Sequence, residues 1–444
     1  MALSNQSELK RKTIGAEQAA SMVKSGSWLD YGFGAGQPDL FDKALASRVR
    51  ELKDLRIRGC LAMRPRLAVE ADPQSHHVSY FSWYFSGLER KMHDRGLCCH
   101  IPMNFGEAPD YYRRFVEVDV AVLKTTPMDD HGFFNFGLSV TYHKAITERA
   151  KTIIIETDQS MPYVYGVENG VHISEVDFVI DGGKTVLPEL KNPPATEVDQ
   201  KVAALIANEI KEGACVQIGI GAMPNAVCEL LARSSIKDLG VHTEMFVDSL
   251  VDLYESGKVS GAHKRVNRYQ MTYCFAAGSS RMYNFLDRNP VCFAGPVDYT
   301  NLPHHIMQND NAVAICNAAQ IDLFGQACSE SAGLRQISGT GGQLQFIRGA
   351  YASHGGKAFL CLASTYERAG KRASRIVARI DESNVVTTPR TDVMYVVTEY
   401  GIVNLKGKSI RERAKALIGL AHPDFREQLE REAREYGMLA RSVL

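Results

Sequence analysis

The stretches Lys24–Pro38 and Lys211–Pro224 carry the same punctuation, and that repeat limits the fold more than any other feature of the chain. Gly26, Gly32 and Gly34 answer to Gly213, Gly219 and Gly221, and one extra residue before Pro38 is the only insertion. A helical pattern precedes each copy, and another follows it: Leu40 to Arg50 in the first, Ala226 to Arg233 in the second. Each second helix leads through Lys53-Asp54-Leu55 or Lys237-Asp238-Leu239 into a short apolar run. Helix, strand, glycine turn, helix, strand is the order of a parallel α/β unit. The match continues in Asp119–Lys124 against Ala312–Asn317 and in Ala150–Glu156 against Ala373–Arg379. The expected fold class is therefore α/β, built twice over.

Between the copies, Pro188, Pro193 and Pro194 fall within seven residues. Prolines at that density continue neither a helix nor a central strand, so a linker fits. The boundary is placed near residue 192, giving an N-terminal domain over 1–192 and a C-terminal domain over 193–444. In the alignment of the copies Glu244 falls opposite Cys60, so only the second half has a carboxylate there. The expectation is a division of labour, with the chemistry in the C-terminal domain. Ser409–Leu420 and Pro423–Leu444 read as two closing helices.

The 444 residues carry 51 basic and 51 acidic side chains, and 45% of the residues are apolar. No basic excess points to nucleic acid. No apolar run approaches the roughly 18 residues that cross a bilayer, and the N-terminal ten residues lack the apolar core of a signal peptide. Ten scattered cysteines without a Cys-x-x-Cys pair argue against a zinc site or a disulfide framework and fit a reduced, cytoplasmic setting. The pairs His76-His77 and His304-His305 point apart on a strand, so no metal site is expected.

Glu244, in His242-Thr243-Glu244-Met245-Phe246, is the leading candidate for chemistry. A carboxylate attacks a thioester to give a mixed anhydride, which free thiolate converts to a glutamyl thioester. A lone glutamate is otherwise a surface or capping residue. The turn Gly219-Ile220-Gly221-Ala222-Met223 begins like a dinucleotide fingerprint, as does Gly32-Phe33-Gly34, but position six is Pro224 in one and Gln37 in the other. A nicotinamide-dependent oxidoreductase is thus a competing reading. In Gly339-Thr340-Gly341-Gly342-Gln343 three glycines in four positions leave amides unscreened for an oxyanion or a phosphate; a plain hairpin is the alternative. Asn317 and Glu399 end apolar runs, where strand ends line clefts and where caps and turns also occur. No Gly-x-Ser-x-Gly elbow is present, and Gly183-Lys184-Thr185 and Gly407-Lys408-Ser409 lack the upstream glycine of a Walker loop.

Four motifs in order, Gly219–Pro224, His242–Phe246, Gly339–Gln343 and Thr398-Glu399-Tyr400-Gly401, resemble those of the acetyl-CoA hydrolase/transferase family, and the resemblance spans nearly the whole chain. It is strongest toward the butyryl-CoA:acetate and 4-hydroxybutyrate CoA-transferases of anaerobic bacteria. The resemblance implies a class I CoA-transferase fold of two similar open α/β domains with the active site in the cleft between them. It gives Glu244 the place of the catalytic glutamate and Gly342 that of the glycine whose amide serves the oxyanion. Gly219, Ile220, Gly221, Ala222 and Met223 match the CoA-contacting segment. Gly339, Gly341 and Gln343 belong to the second loop, and Asn317 and Glu399 fall where the family has polar active-site residues. Gln345 stands where many relatives have Asp, which leaves the preferred acyl group and acceptor open. The implied reaction is ping-pong CoA transfer from a short-chain acyl-CoA to a carboxylate such as acetate, with coenzyme A as substrate and no other cofactor. Net thioester hydrolysis and a catalytically silent CoA-binding protein are the nearest alternatives. Dimers and tetramers are common among symmetric enzymes, so a homo-oligomer is open to the chain.

Overall fold

The computed structural model describes residues 2–439 apart from 192, 369 and 382. The chain forms two compact units. The first takes in the chain up to Lys191 with Glu244–Asp248 and Thr272–Thr300, and the second takes in the rest.

The first unit is built on a seven-stranded parallel sheet: β1 (Trp28–Phe33), β2 (Leu55–Cys60), β3 (Val78–Ser82), β4 (Cys98–His100), β5 (Val120–Thr125), β6 (Thr152–Thr157) and β7 (Phe178–Asp181). Its order is β4-β3-β2-β1-β5-β6-β7. All six residues of β5 are buried, as are five of six in β6. Continuous apolar runs of this kind, Val120-Ala121-Val122-Leu123 and Ile153-Ile154-Ile155, belong to parallel strands covered on both faces. Leu29, Tyr31, Ile57, Val122 and Ile154 share one core with Phe41 and Leu45 of α1 (Leu40–Ala46).

The second unit repeats the plan with β8 (Cys215–Ile218), β9 (Gly240–Val241), β10 (Ala312–Asn317), β11 (Lys357–Cys361), β12 (Tyr395–Thr398) and β13 (Gly401–Asn404), in the order β9-β8-β10-β11-β12-β13. Only β12 and β13 pair antiparallel. The core joins Ala314, Leu360 and Val396 of the sheet to Phe346 of α3 (Gln343–Ala352), while α2 (Ala222–Arg233) follows β8.

The internal repeat holds to the level of register. Trp28 faces Arg56 as Cys215 faces Gly240, and Leu29 faces Val120 as Val216 faces Val313. The same turn closes both copies: Gly26 N–H donates to Lys53 O at 2.8 Å and Gly213 N–H to Lys237 O at 3.1 Å. Asp54 and Asp238 take the same left-handed conformation, φ 51° and 58°, which the short Asp side chain tolerates.

The copies part where Glu244 was aligned with Cys60. β2 runs on to a buried Cys60, whereas β9 ends at Val241 and the chain passes into the first unit at Glu244. One part of the sequence alignment is corrected. The counterpart of β6 is β11, each pairing in parallel with the strand (β5 or β10) that flanks the glycine-turn strand. Residues 373–379 instead hold the end of the hairpin strand Lys371–Ser374 and a two-residue strand, Ile376–Val377, beside Gln320–Asp322 in a small separate sheet.

At the C-terminal end, Ser409 caps Ile410–Leu420, and Pro423–Glu435 follows. The helix expected to reach Leu444 ends at Glu435, with Gly437 at φ 70° just beyond it, and residues from 440 on lie outside the described residues. No helix among the described residues is long and apolar enough to cross a membrane.

Candidate active site

In the second unit the carboxyl ends of β8, β10 and β12 present three of the expected segments, as strand ends of parallel sheets do. Gly219 and Ile220 connect β8 to Gly221, whose φ of 128° is open to glycine, and α2 starts at Ala222, a turn earlier than the sequence pattern suggests. The helix has no side-chain cap, so its first amides face whatever approaches the turn. The approach is open: a Cβ added at Gly219 or Gly221 would meet nothing closer than 3.8 Å. Ile220 is 37% exposed. Asn317, exposed at the end of β10, places Nδ2 3.9 Å from that added Cβ at Gly221, so the turn and Asn317 are neighbours.

The matching turn of the first unit is closed. Residues 31–38 are all buried, and a Cβ at Gly32 would lie 2.2 Å from His143 Nε2. Phe33 N–H donates to that nitrogen at 3.3 Å, and Phe33 stacks on Phe105 with Tyr142 and Phe275 edge-on or tilted against it. A turn filled by side chains admits no pyrophosphate, which removes the paired-fingerprint basis of the nicotinamide reading.

Burial lowers the His143 pKa from its ordinary 6.5 to about 4. The unfolded chain takes up a proton near 6.5 while the folded protein keeps this ring neutral, so acid favours unfolding across that interval and the stability returns as pH rises. The expected contribution of His143 is a loss of about 3 kcal/mol between those limits. Denaturant titrations at several pH values check it, with His143→Gln lacking this component of the slope.

The glycine-rich loop is not a hairpin tip. A separate hairpin, Ser331–Ala332 with Arg335–Gln336, precedes it, and Ser338–Gly342 then leads into α3 with Gly342 at its N-cap. Gly341 has φ 55°, where glycine is favoured; Gly342, at φ −94°, is under no such demand. The loop is held from several sides. Ser338 Oγ donates to Ser329 O at 3.0 Å, and Thr340 Oγ1 donates to the carboxylate of Glu330 at 3.4 Å. Glu330 is buried and also accepts from Thr387 Oγ1 at 2.9 Å. Gln343 Nε2 donates to Ser329 Oγ at 2.9 Å and Thr388 Oγ1 at 3.0 Å. Ser329 Oγ in turn donates to Asn317 O at 3.3 Å, which ties the loop to the end of β10.

Glu399, half-buried after β12, accepts from both the N–H and the Oγ of Ser364, so each of its oxygens has a donor. Gln345 is buried in α3. Ser329, Glu330, Ser364, Thr387 and Thr388 are the supports that sequence reasoning missed; each is a common polar residue with no motif to mark what it holds, 9 to 57 positions away.

Glu244 is half-buried between β9 and the two-residue strand Met245–Phe246. Its carbonyl accepts from Cys274 N–H at 3.0 Å, Cys274 Sγ–H at 3.1 Å and Phe275 N–H at 3.3 Å, and Met245 pairs in parallel with Phe275. Just upstream, Thr243 Oγ1 donates to Ile218 O at 3.3 Å, on the residue that ends β8. The main chain is therefore fixed on both sides of the glutamate. The turn, Asn317 and the glycine loop come together in the second unit, Glu399 stands two strands along at the end of β12, and Glu244 is grouped with the first unit.

Residues 2–190 match the family model described as the acetyl-CoA hydrolase/transferase N-terminal domain, and residues 278–433 match that of its C-terminal domain. The chain belongs to this family. Among curated relatives, the butyryl-CoA:acetate CoA-transferase of Anaerostipes caccae is 46% identical over 99% of this chain and 100% of its own length. The 4-hydroxybutyrate coenzyme A transferase of Clostridium kluyveri is 37% identical over 96% of this chain and 98% of its own. Among solved structures, RipA from Yersinia pestis has a TM-score of 0.90 at 37% identity, covering 98% of this chain and all of that one. The 4-hydroxybutyrate CoA-transferase of Porphyromonas gingivalis has a TM-score of 0.78 at 31% identity, covering 97% of this chain and 99% of its own.

Proposed function

We propose that the protein is an acyl-CoA:carboxylate CoA-transferase that moves CoA from butyryl-CoA to acetate through a thioester on Glu244. The observation that carries this reading is the full-length match to a relative named for that exchange, joined to an open glycine turn and an amide-rich loop tied together at the strand ends. Glu244 attacks the thioester carbonyl and displaces CoA thiolate, leaving a mixed anhydride. The thiolate then attacks the glutamyl carbonyl, butyrate departs, and glutamyl-CoA remains. Acetate adds to that thioester and releases thiolate once more. Attack of thiolate on the acetyl carbonyl gives acetyl-CoA and regenerates the carboxylate. The N–H of Gly342 stabilises the oxyanion of the tetrahedral intermediates. The turn Gly219–Met223 holds the phosphate-bearing part of CoA on the amides of α2. Binding energy from that remote arm favours the transition state at the thioester.

Asn317 lies beside the turn and orients substrate, while Gln343, with Gly339 and Gly341, sets the shape of the oxyanion loop. Glu399, bound at both oxygens by Ser364, acts as a fixed acceptor at the end of β12. The test is product partition with butyryl-CoA and acetate. The expected result is acetyl-CoA formed one for one with butyrate; free CoA accumulating in place of acetyl-CoA would make the protein a hydrolase.

A further inference from the structure

Lys264 is 3% exposed, and its ammonium donates to two main-chain carbonyls, Val241 O at 2.7 Å and Gln270 O at 2.6 Å. These acceptors lie far apart in sequence but share a role. Val241 ends β9, three residues before Glu244. Gln270 directly precedes the strand Met271–Tyr273, which delivers Cys274 and Phe275, the donors to the Glu244 carbonyl. The chain leaves the second unit for the first just after each acceptor, at Glu244 and at Thr272. We propose that Lys264 is the positioning residue for Glu244, one ammonium fixing both main-chain segments from which the backbone around the glutamate is built. The proposal rests on Glu244 being the nucleophile.

The surroundings are shaped for this lysine. A Cβ at Gly240 would lie 2.6 Å from Lys264 Cγ and 3.0 Å from Cδ, so glycine in β9 makes room for the stem. Gly261 staples the lysine's turn to the residue that enters β9: its N–H donates to Leu239 O at 3.0 Å, and its carbonyl accepts from Lys264 N–H at 3.2 Å. Cys215, facing Gly240 on β8, is a titratable neighbour. Burial lowers the lysine pKa to about 8, the mark of an ammonium held at a desolvation cost. A purely apolar replacement takes this donor from the Val241 and Gln270 carbonyls, at the stability cost of buried acceptors left unpaired. Holding a nucleophile is different: a misplacement of about 1 Å costs on the order of 100-fold in rate.

The test compares Lys264→Met and the milder Lys264→Gln with the parent. Measured are kcat, KM for butyryl-CoA, melting temperature and the rate at which butyryl-CoA loads CoA onto Glu244. In Lys264→Met the expected result is kcat and loading rate lower by about 100-fold together. KM is expected to stay near the parental value, and the melting temperature to fall more in Lys264→Met than in Lys264→Gln, whose amide still donates. Parental kcat in both variants overturns the proposal. So does a kcat deficit that disappears when the assay is run well below the variants' melting temperatures, or failure of both to fold, either of which marks a scaffold residue. If Glu244→Ala keeps full turnover, the nucleophile reading itself is lost; if that variant is dead while Lys264→Met is at parental kcat, only the role of Lys264 falls.

Discussion

Glu244→Ala is expected to lower CoA transfer from butyryl-CoA to acetate by about 10⁴-fold or more, the scale of loss when a covalent nucleophile is removed. Folding and CoA binding are expected to survive, for a structural reason. The bonds that fix this segment run from Cys274 and Phe275 to the Glu244 carbonyl and from Thr243 to Ile218, and alanine keeps every group involved. Steady-state assays beside calorimetric CoA binding check both halves. Turnover near the parental rate would remove Glu244 from the mechanism, and loss of CoA binding with loss of turnover would recast it as a scaffold.

The second large effect is expected at Gly342. A valine there should reduce kcat by about 100- to 1,000-fold, the range for removing an oxyanion donor, with a smaller change in KM. The distinction from a folding defect is built into the loop. At φ −94° Gly342 can take a side chain without backbone strain, unlike Gly341 at φ 55°. The loop is also anchored through Thr340 to Glu330 and through Gln343 to Ser329 and Thr388, none of which valine replaces. Gly342 is buried, so a melting temperature measured beside the kinetics separates obstruction of its amide from a folding defect. Equal kcat in variant and parent would contradict the oxyanion role.

The repeated fold was legible because its punctuation is local. Gly26 with Asp54 and Gly213 with Asp238 fix the same turn twice, and the strands they introduce keep the same register. The alignment failed where local preference pointed to the wrong strand. Ile376-Val377 is β-branched and reads as a strand, yet it pairs for two residues at the margin; β11, Lys357-Ala358-Phe359-Leu360-Cys361, has no β-branched residue and sits inside the sheet. Tertiary burial rather than propensity decides such a case.

For the site, glycines and residues ending apolar runs were visible because their chemistry follows from type and position. The supports were not. Glu330 held by Thr387, Ser364 holding Glu399 and Lys264 holding Val241 are ordinary polar residues whose roles come from contacts between separate parts of the chain. The passages at Glu244 and Thr272 likewise leave no mark in composition.

The most direct measurement of the central claim is intact-protein mass spectrometry after mixing with butyryl-CoA alone, followed by peptide mapping. The expected result is a CoA adduct on Glu244 that vanishes when acetate is added, with acetyl-CoA appearing in the same amount. Consumption of butyryl-CoA with no adduct on Glu244, or an adduct on another residue, would contradict the glutamyl-CoA route.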